Sequence, residues 1–363
     1  MPRVLIFKET ILPSSETFIL AQARALRRYQ WLLTGLEPAR PSLPVDKPLL
    51  LTSHEGRMAE IRAKLYRRTG LAPLFHQRVR RFAPELIHAH FASGGRTAIP
   101  MVRALAVPLI VTLHGADITI RGAAKRYKEL TNVASRFICV SEFIRERALE
   151  AGFPEAKLVV HYIGIDRSLF VPSLDAASQS VVFVGRLVEK KGCEYLLRAM
   201  QLVQQSRPDV GLTVIGDGPL RGKLEKTARE LRVGCSFLGV LPPGQVKEQL
   251  RKAYVFCAPS VTASDGDSEG LGMVFAEAQA IGVPVVSNRH GGIAEVVLDG
   301  KTGLLVQERD HVALAGALER LLANGALWQS FREASMQHIE ACFDLYTQTA
   351  RLEEIYDQTL AER

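Results

Sequence analysis

Short apolar, β-branched runs alternate with longer stretches of helical period along the whole chain. In the first half, runs near Val4–Phe7, Leu32–Thr34, Leu49–Thr52, Leu86–His88, Leu109–Thr112, Phe137–Val140 and Leu158–Val160 predict strands. In the second half they fall near Val181–Gly185, Leu212–Gly216, Ser236–Leu238, Val255–Ala258, Val283–Ser287 and Gly303–Val306. Strands alternating with helices predict parallel sheets with helices on both faces. Two consecutive sets predict an α/β protein of two Rossmann-like, doubly wound domains. The expected division is 1–170 and 171–345, with the small, polar stretch from Phe170 to Gln179 as linker. The tail from Phe331 to Arg363 reads as helical, and its end, about 346–363, is free to pack back onto the first domain.

A chain of 363 residues suits two cores, and 47% hydrophobic with 23% charged residues describes a globular protein. Runs such as Val107 to Leu113 fall well short of the ~20 apolar residues of a membrane span. Met1-Pro2-Arg3-Val4 leads straight into a strand-like run, so no secretory leader is expected. Cys139, Cys193, Cys235, Cys257 and Cys342 have no metal-ligand spacing and read as buried thiols in a reducing cytoplasm.

The net charge of +8 is unevenly placed. Up to Phe170 there are 26 Lys and Arg against 14 Asp and Glu, and beyond it 20 against 24. Much of the excess lies between Arg57 and Arg81, interleaved with Ile61, Leu65, Leu74, Phe75, Val79 and Phe82. Two readings stand: solvated faces of ordinary helices, or a surface for an anionic membrane or a pyrophosphate-bearing partner. No nucleic-acid motif accompanies the charge, so no nucleic-acid partner is expected.

The segment richest in chemistry is Ser264-Asp265-Gly266-Asp267-Ser268-Glu269-Gly270-Leu271-Gly272-Met273-Val274-Phe275-Ala276-Glu277. Small residues at 270 and 272 let a ligand approach the backbone. A helix starting near Gly270 would aim its free N–H groups at an anion such as a diphosphate. Glu269 would then lie at the rim of that site, and Glu277 two turns deeper and roughly 80° further round. A rim carboxylate suits a sugar and a deep one a ribose, the two ends of a sugar nucleotide. Two other polar groups also follow expected strands: His114-Gly115-Ala116-Asp117, and Gly185-Arg186 with Lys191-Gly192. Ligands of open α/β sheets bind beyond the carboxyl ends of the strands, so the three groups are expected to converge on one cleft.

The ordered set Gly185-Arg186, Lys191-Gly192, Gly216-Asp217-Gly218-Pro219, Phe237-Leu238-Gly239, Glu269 with Glu277, Gly282-Val283-Pro284, Gly291-Gly292-Ile293-Ala294-Glu295 and Thr302-Gly303 resembles the retaining glycosyltransferases of family 4. These have the GT-B fold, two Rossmann-like domains facing each other across a cleft. Ser15-Glu16-Thr17-Phe18-Ile19, His88-Ala89-His90-Phe91, His114 to Asp117 and Asp265 to Gly270 look closest to the enzymes that assemble colanic acid, amylovoran and related exopolysaccharides.

The resemblance implies a retaining, metal-independent transfer of a hexose from a UDP- or GDP-sugar to a hydroxyl of a lipid-linked or polysaccharide acceptor. It implies that Arg186 and Lys191 neutralise the diphosphate as it leaves, that Glu269 orients the donor sugar and that Glu277 binds the ribose. Gly185, Gly270 and Leu271, with backbone N–H groups of Gly272, Met273 and Val274, would complete the donor site. His114 would stand beside the reacting sugar. No covalent glycosyl–enzyme is expected, and the two domains are expected to close around the donor.

On the acceptor side the resemblance points to Ser15, Glu16, Thr17, His90 and Asp117. For several residues a plainer reading stays open: His114 can cap a turn, Asp117 can cap a following helix, and His88 and His90 can be packing residues. Asp265 and Asp267 have a metal-like spacing, but an acceptor-facing or structural role is expected instead. Two departures from the family stand out. Pro13-Ser14-Ser15-Glu16-Thr17 occupies a position where many members have a glycine-rich turn, which puts the acceptor contacts in doubt. Tyr162-Ile163-Gly164-Ile165-Asp166 replaces the common Pro-Asn-Gly-Val-Asp, which puts the hinge in doubt.

Two alternatives are carried: a sugar-nucleotide epimerase of similar architecture, which would release an epimerised donor without acceptor, and a non-catalytic nucleotide-sugar sensor or scaffold. The expected location is the cytoplasm, with peripheral attachment to the inner face of the membrane.

Overall fold

The computed structural model describes residues 1–11, 13, 16–39, 48–52, 57–122, 124–172 and 179–362. Ser15 and residues 173–178 of the expected linker lie outside the described residues. The chain divides into two compact units, Met1–Ile165 with Leu345–Arg363, and Asp166–Asp344.

The first unit contains β1 (Arg3–Phe7), β2 (Thr10–Ile11), β3 (Gln30–Gly35), β4 (Glu37–Pro38), β5 (Leu49–Leu50), β6 (Leu86–His90), β7 (Leu109–Leu113), β8 (Arg136–Cys139) and β9 (Leu158–Val160). Seven of these form one sheet in the order β5-β3-β1-β6-β7-β8-β9. Every neighbouring pair in it is parallel. Its central strands are buried on both faces, which is why they read as unbroken apolar runs. The short pair β2 and β4 carries no periodic signal and was not expected from the sequence.

The second unit contains β10 (Ser180–Val184), β11 (Gly211–Ile215), β12 (Cys235–Gly239), β13 (Val255–Cys257), β14 (Val285–Asn288) and β15 (Gly303–Val306). Their order, β12-β11-β10-β13-β14-β15, is that of a doubly wound nucleotide-binding sheet. In each sheet the order reverses beside its first strand, between β1 and β6 and between β10 and β13. That reversal opens a crevice beyond the strand ends, and the candidate residues must be judged against it.

The expected helical tail consists of two helices, Gly325–Phe343 and Leu345–Ala361, separated where Asp344 adopts an extended ψ of 130°. The second belongs to the first unit. Leu352, Ile355 and Tyr356 pack with Val4, Tyr29, Leu86, Ile110 and Ile138. Buried Glu353 accepts the backbone N–H groups of Arg27 (2.7 Å) and Arg28 (2.6 Å), and Tyr29 donates to Asp357 (2.6 Å). Cys139, Cys193 and Cys257 are buried, while Cys235 and Cys342 are partly exposed. Among the described residues, no helix is long and apolar enough to cross a membrane.

Candidate active site

In the second unit the loops following β10 and β13 are joined side by side at the strand-order reversal. A turn at Glu189–Lys191 ends at Gly192, whose φ is +65°. A Cβ there would stand 1.8 Å from the carbonyl oxygen of Pro259, so only glycine allows the two loops to touch. Asn288, at the end of β14, donates to the carbonyls of Pro259 and Ser260 at 3.0 Å each.

The loops are then linked by side chains in sequence. Ser264 donates to Glu189 (2.7 Å), Lys190 pairs with Asp267 (3.0 Å), and Lys191 Nζ lies 2.5 Å from Glu269 Oε2. Both ion pairs are largely buried, where mutual charge compensation matters most. Burial alone would raise the pKa of Glu269, but the charges of Lys191 and Lys190 hold it below the usual carboxylate value. Asp265 accepts the N–H of Asp267 (2.9 Å) and shapes the turn. Lys190 and Asp267 form a partnership that the sequence reading did not single out, although Lys190 stands beside Lys191.

Arg186 is exposed at the mouth of the β10 loop, and its guanidinium has no ion-pair partner among the described residues. Gly185 packs against the Lys191 stem, which a Cβ at 185 would meet at 3.5 Å. The helix expected near Gly270 runs from Met273 to Ile281, with Gly272 as its N-cap. Leu271 is buried, so only its backbone faces the loop. Glu277 is partly buried one face along, with no hydrogen-bond partner among the described residues. Desolvation raises its pKa to about 7, against the opposing pull of Lys247.

Two groups not anticipated from the sequence complete this region. His290, just before Gly291-Gly292, accepts the backbone N–H of Glu269 on Nε2 (3.1 Å) and donates from Nδ1 to Glu308 (2.6 Å). Gly291 has φ +53°, and a Cβ there would lie 2.2 Å from the Glu269 carbonyl oxygen. Among the described residues, no group of three or more His, Cys, Asp or Glu is placed to hold a metal ion.

In the first unit, His90 ends β6 and His114 follows β7, with His90 Nδ1 3.1 Å from His114 Nε2. Burial lowers the pKa of His114 to about 3 and that of His90 well below its usual value, so both rings are neutral. One hydrogen lies between them. The His114 ring also packs on Phe91 and Phe18. His88 has both ring nitrogens occupied, by Tyr356 (2.6 Å) and Thr112 (2.7 Å), and is a packing residue.

Buried Asp117 accepts the N–H groups of Ala92 (2.9 Å), Gly115 (2.9 Å) and His114 (3.2 Å). It therefore positions the His114 turn and caps the helix Ala92–Leu105. The residue before that helix, Phe91, is held at φ +66°, ψ +145°, a region that costs a non-glycine residue about 1–3 kcal/mol. Strain of this kind gathers at functional positions, yet nothing in the sequence marks Phe91.

Glu16 pairs with Lys8 (3.3 Å), and its Oε2 is buried without a hydrogen-bond partner among the described residues. Its pKa is raised, by burial and against Lys8. Thr17 opens the helix Thr17–Ala25 next to it.

The sequence profile of glycosyl transferases group 1 matches residues 166–338, and that of Glycosyltransferase Family 4 matches residues 15–169. The Escherichia coli protein named as a colanic acid biosynthesis glycosyltransferase, WcaL, is 32% identical over 65% of this chain and 61% of its own. The amylovoran biosynthesis glycosyltransferase AmsK of Erwinia amylovora is 31% identical over 76% of this chain and 71% of its own. The chain thus spans about three fifths of the first relative and about seven tenths of the second. Among solved structures, Anabaena HepE in complex with UDP and glucose superposes with a TM-score of 0.80 over 99% of this chain and 100% of that one, at 20% identity.

The fold is the α/β GT-B fold, and the chain belongs to the family 4 glycosyltransferases.

Proposed function

We propose that this protein transfers a hexose, with retention of anomeric configuration, from a nucleoside-diphosphate sugar to a hydroxyl of a lipid-linked or polysaccharide acceptor in cell-surface glycan synthesis. The observation that carries the reading is the Lys191–Glu269 pair at the strand-order reversal of the second unit, with Arg186 unpaired and Glu277 unpartnered among the described residues of the same unit. A relative named for amylovoran biosynthesis and a fold neighbour holding UDP and glucose support a nucleotide-sugar donor and a polysaccharide product.

The transfer breaks the bond between the anomeric carbon and the diphosphate oxygen, and its electron pair leaves with the diphosphate. Arg186 and Lys191 offset the negative charge gained there, where fixed cations lower the barrier most. Glu269 accepts hydroxyl hydrogens of the sugar, and Glu277 those of the ribose. Backbone N–H groups of Met273 and Val274 add donors to the diphosphate. The acceptor hydroxyl attacks from the face the diphosphate leaves, and its proton passes to the departing phosphate oxygen. On the first unit, Glu16, Thr17 and His90 are assigned to the acceptor, and neutral His114 serves as a hydrogen-bonding group. Asp117 acts through the backbone it holds.

Thermal unfolding with UDP, GDP and ADP tests the donor site. One nucleotide, at about a hundred times its dissociation constant, is expected to stabilise the protein by roughly 2.7 kcal/mol. The shift should shrink in Glu277→Ala. If none of the three stabilises the wild type, the transferase reading fails.

The same reading places the protein at the cytoplasmic face of a membrane, through the helices Arg57–Thr69 and Pro73–Phe82. On the first helix Ala59, Ala63 and Tyr66 face the core, while Met58 (65% exposed), Ile61 (48%) and Leu65 (53%) form a separate stripe. By helical period, Arg57, Lys64 and Arg68 flank that stripe on one side and Arg62 on the other. Leu71 and Leu74, exposed to 72% and 77%, follow, with Leu74 on the face of Arg78 and Arg81. An exposed apolar stripe edged by cations suits an anionic bilayer surface. Co-sedimentation with vesicles containing phosphatidylglycerol is expected at low salt and should weaken at high salt. Replacing Met58, Ile61 and Leu65 by Ser should reduce it severalfold, and absence of low-salt binding by the wild type would rule the surface out.

A further inference from the structure

We propose that His290 and Glu308 are positioning residues that clasp the loop 262–269 at both ends and so fix where Glu269 stands. The inference rests on the reading of Glu269 as the carboxylate that orients the donor sugar. Three observations carry it.

The first is the grip on Glu269. Its backbone N–H donates to His290 Nε2 (3.1 Å), and its carbonyl accepts the N–H of Gly292 (3.1 Å). A peptide N–H can only donate, so Nε2 must be the accepting nitrogen and the hydrogen must lie on Nδ1. Glu308, 2.6 Å from Nδ1, holds the ring in that tautomer and orientation. An imidazolium would turn an N–H against the N–H of Glu269 and break the grip.

The second is the grip on the other end of the loop. Glu308 also accepts the N–H of Thr262 (2.9 Å), and Arg309 donates to the Thr262 carbonyl (2.7 Å). One carboxylate therefore holds the start of the loop directly and its end through His290. Burial would raise the pKa of Glu308, but these donors lower it, which keeps it charged for both tasks.

The third is strain. Arg309, which completes the hold on Thr262, has φ +66°, a conformation that non-glycine residues adopt at a cost. A costly backbone geometry at the residue that closes the clasp indicates that the surrounding bonds define its position.

The grip acts on the backbone, and the reacting groups are reached only through it. Removing it should leave Arg186 and Glu277 untouched while letting the Glu269 carboxylate drift, and displacement of about 1 Å in a reacting constellation costs on the order of a hundredfold in rate. His290 and Glu308 should therefore govern turnover and leave nucleotide affinity alone. A purely structural role would lower both.

The test uses the full chain as wild type, His290→Ala, His290→Gln and Glu308→Gln, each checked for folding by thermal unfolding. UDP and GDP affinities are measured by calorimetry, and turnover as release of the nucleoside diphosphate from its sugar donor. His290→Ala should keep the nucleotide dissociation constant within about twofold while turnover falls about ten- to a hundredfold. His290→Gln, whose amide oxygen can accept the Glu269 N–H, should recover most of the loss. Equal losses of affinity and turnover, or unchanged turnover in folded His290→Ala, would overturn the proposal.

Nitrogen NMR of the wild-type imidazole gives a readout independent of folding in the variants. A protonated Nδ1 with a bare Nε2 is expected, and an Nε2–H tautomer would refute the clasp. If the wild type binds neither nucleotide, the donor reading fails and the imidazole signature still decides the clasp.

Discussion

Lys191→Ala should reduce turnover about a thousandfold and also reverse the pH dependence of stability around Glu269. The kinetic loss follows from removing a fixed cation aimed at a leaving diphosphate, an effect on the order of 10²–10³ in rate for one such group. The stability effect follows from burial: Lys191 and Glu269 are each little more than a tenth exposed, at 13% and 12%. Breaking a buried pair from one side costs about 3–5 kcal/mol. Lys190 remains nearby, so about 2–4 kcal/mol is expected here.

In the wild type Glu269 titrates below its unfolded value, so the pair's contribution is complete above the unfolded carboxylate range. It is lost as pH falls through the folded value. Without Lys191 the desolvation that burial imposes dominates, and Glu269 titrates above its unfolded value. The folded variant then holds a proton the unfolded chain has lost, so its stability falls as pH rises. The gap between wild type and variant should therefore widen from about pH 4 to pH 7. Denaturant unfolding at both values checks it, and parallel curves would contradict the account.

How far the sequence foretold the molecule can be judged element by element. Each of the thirteen expected strands lies in one of the two large sheets, and the central ones are the plainest, because a strand buried on both faces is an unbroken apolar run. The last helix, expected from about 346, begins at Leu345, although Phe343 and Leu345 are both apolar and neither Gly nor Pro marks the stop at Asp344. That Lys191 and Glu269 come close together could be expected, because each sits in a loop after a strand that flanks the order reversal, but their ion pair is seen only in the structure.

His290 and Glu308 could not, since a lone histidine before two glycines has no periodic or spacing signal, and its partner lies beyond the next strand. The nearest hint was Gly291-Gly292 itself, which a close backbone approach requires. Phe91 was invisible because its strain is a backbone property, and phenylalanine is not a residue that favours positive φ. His88 is held by Thr112 and Tyr356, and Asp117 by the N–H of Ala92, through hydrogen bonds that no pattern of residue types encodes.

Glu277→Gln should make the free protein more stable at pH 8 and at the same time a poorer nucleotide binder. The carboxyl has no partner of its own, and desolvation raises its pKa to about 7 in spite of Lys247. Between the unfolded carboxylate range and pH 7 the folded protein keeps a proton that the unfolded chain has released, so stability falls with rising pH across that window. Above it the full cost of a desolvated, unpartnered carboxylate is present, about 1–3 kcal/mol. Glutamine has no charge to desolvate, so the variant should match the wild type near pH 4 and exceed it at pH 8.

Binding reverses the comparison. An ionised carboxylate can accept both ribose hydroxyls, and a hydrogen bond to a charged acceptor contributes about 1.5–3 kcal/mol. The amide offers one oxygen and no charge, so nucleotide affinity should fall about ten- to a hundredfold at pH 8. In the wild type only the ionised form binds well. Affinity should therefore rise from pH 6 to pH 8, and binding at pH 6 should release a proton. Calorimetry in two buffers of different ionisation enthalpy measures that release directly, and the variant should show none. A wild-type affinity flat across the range, with no proton released, would mean that Glu277 does not meet the ribose.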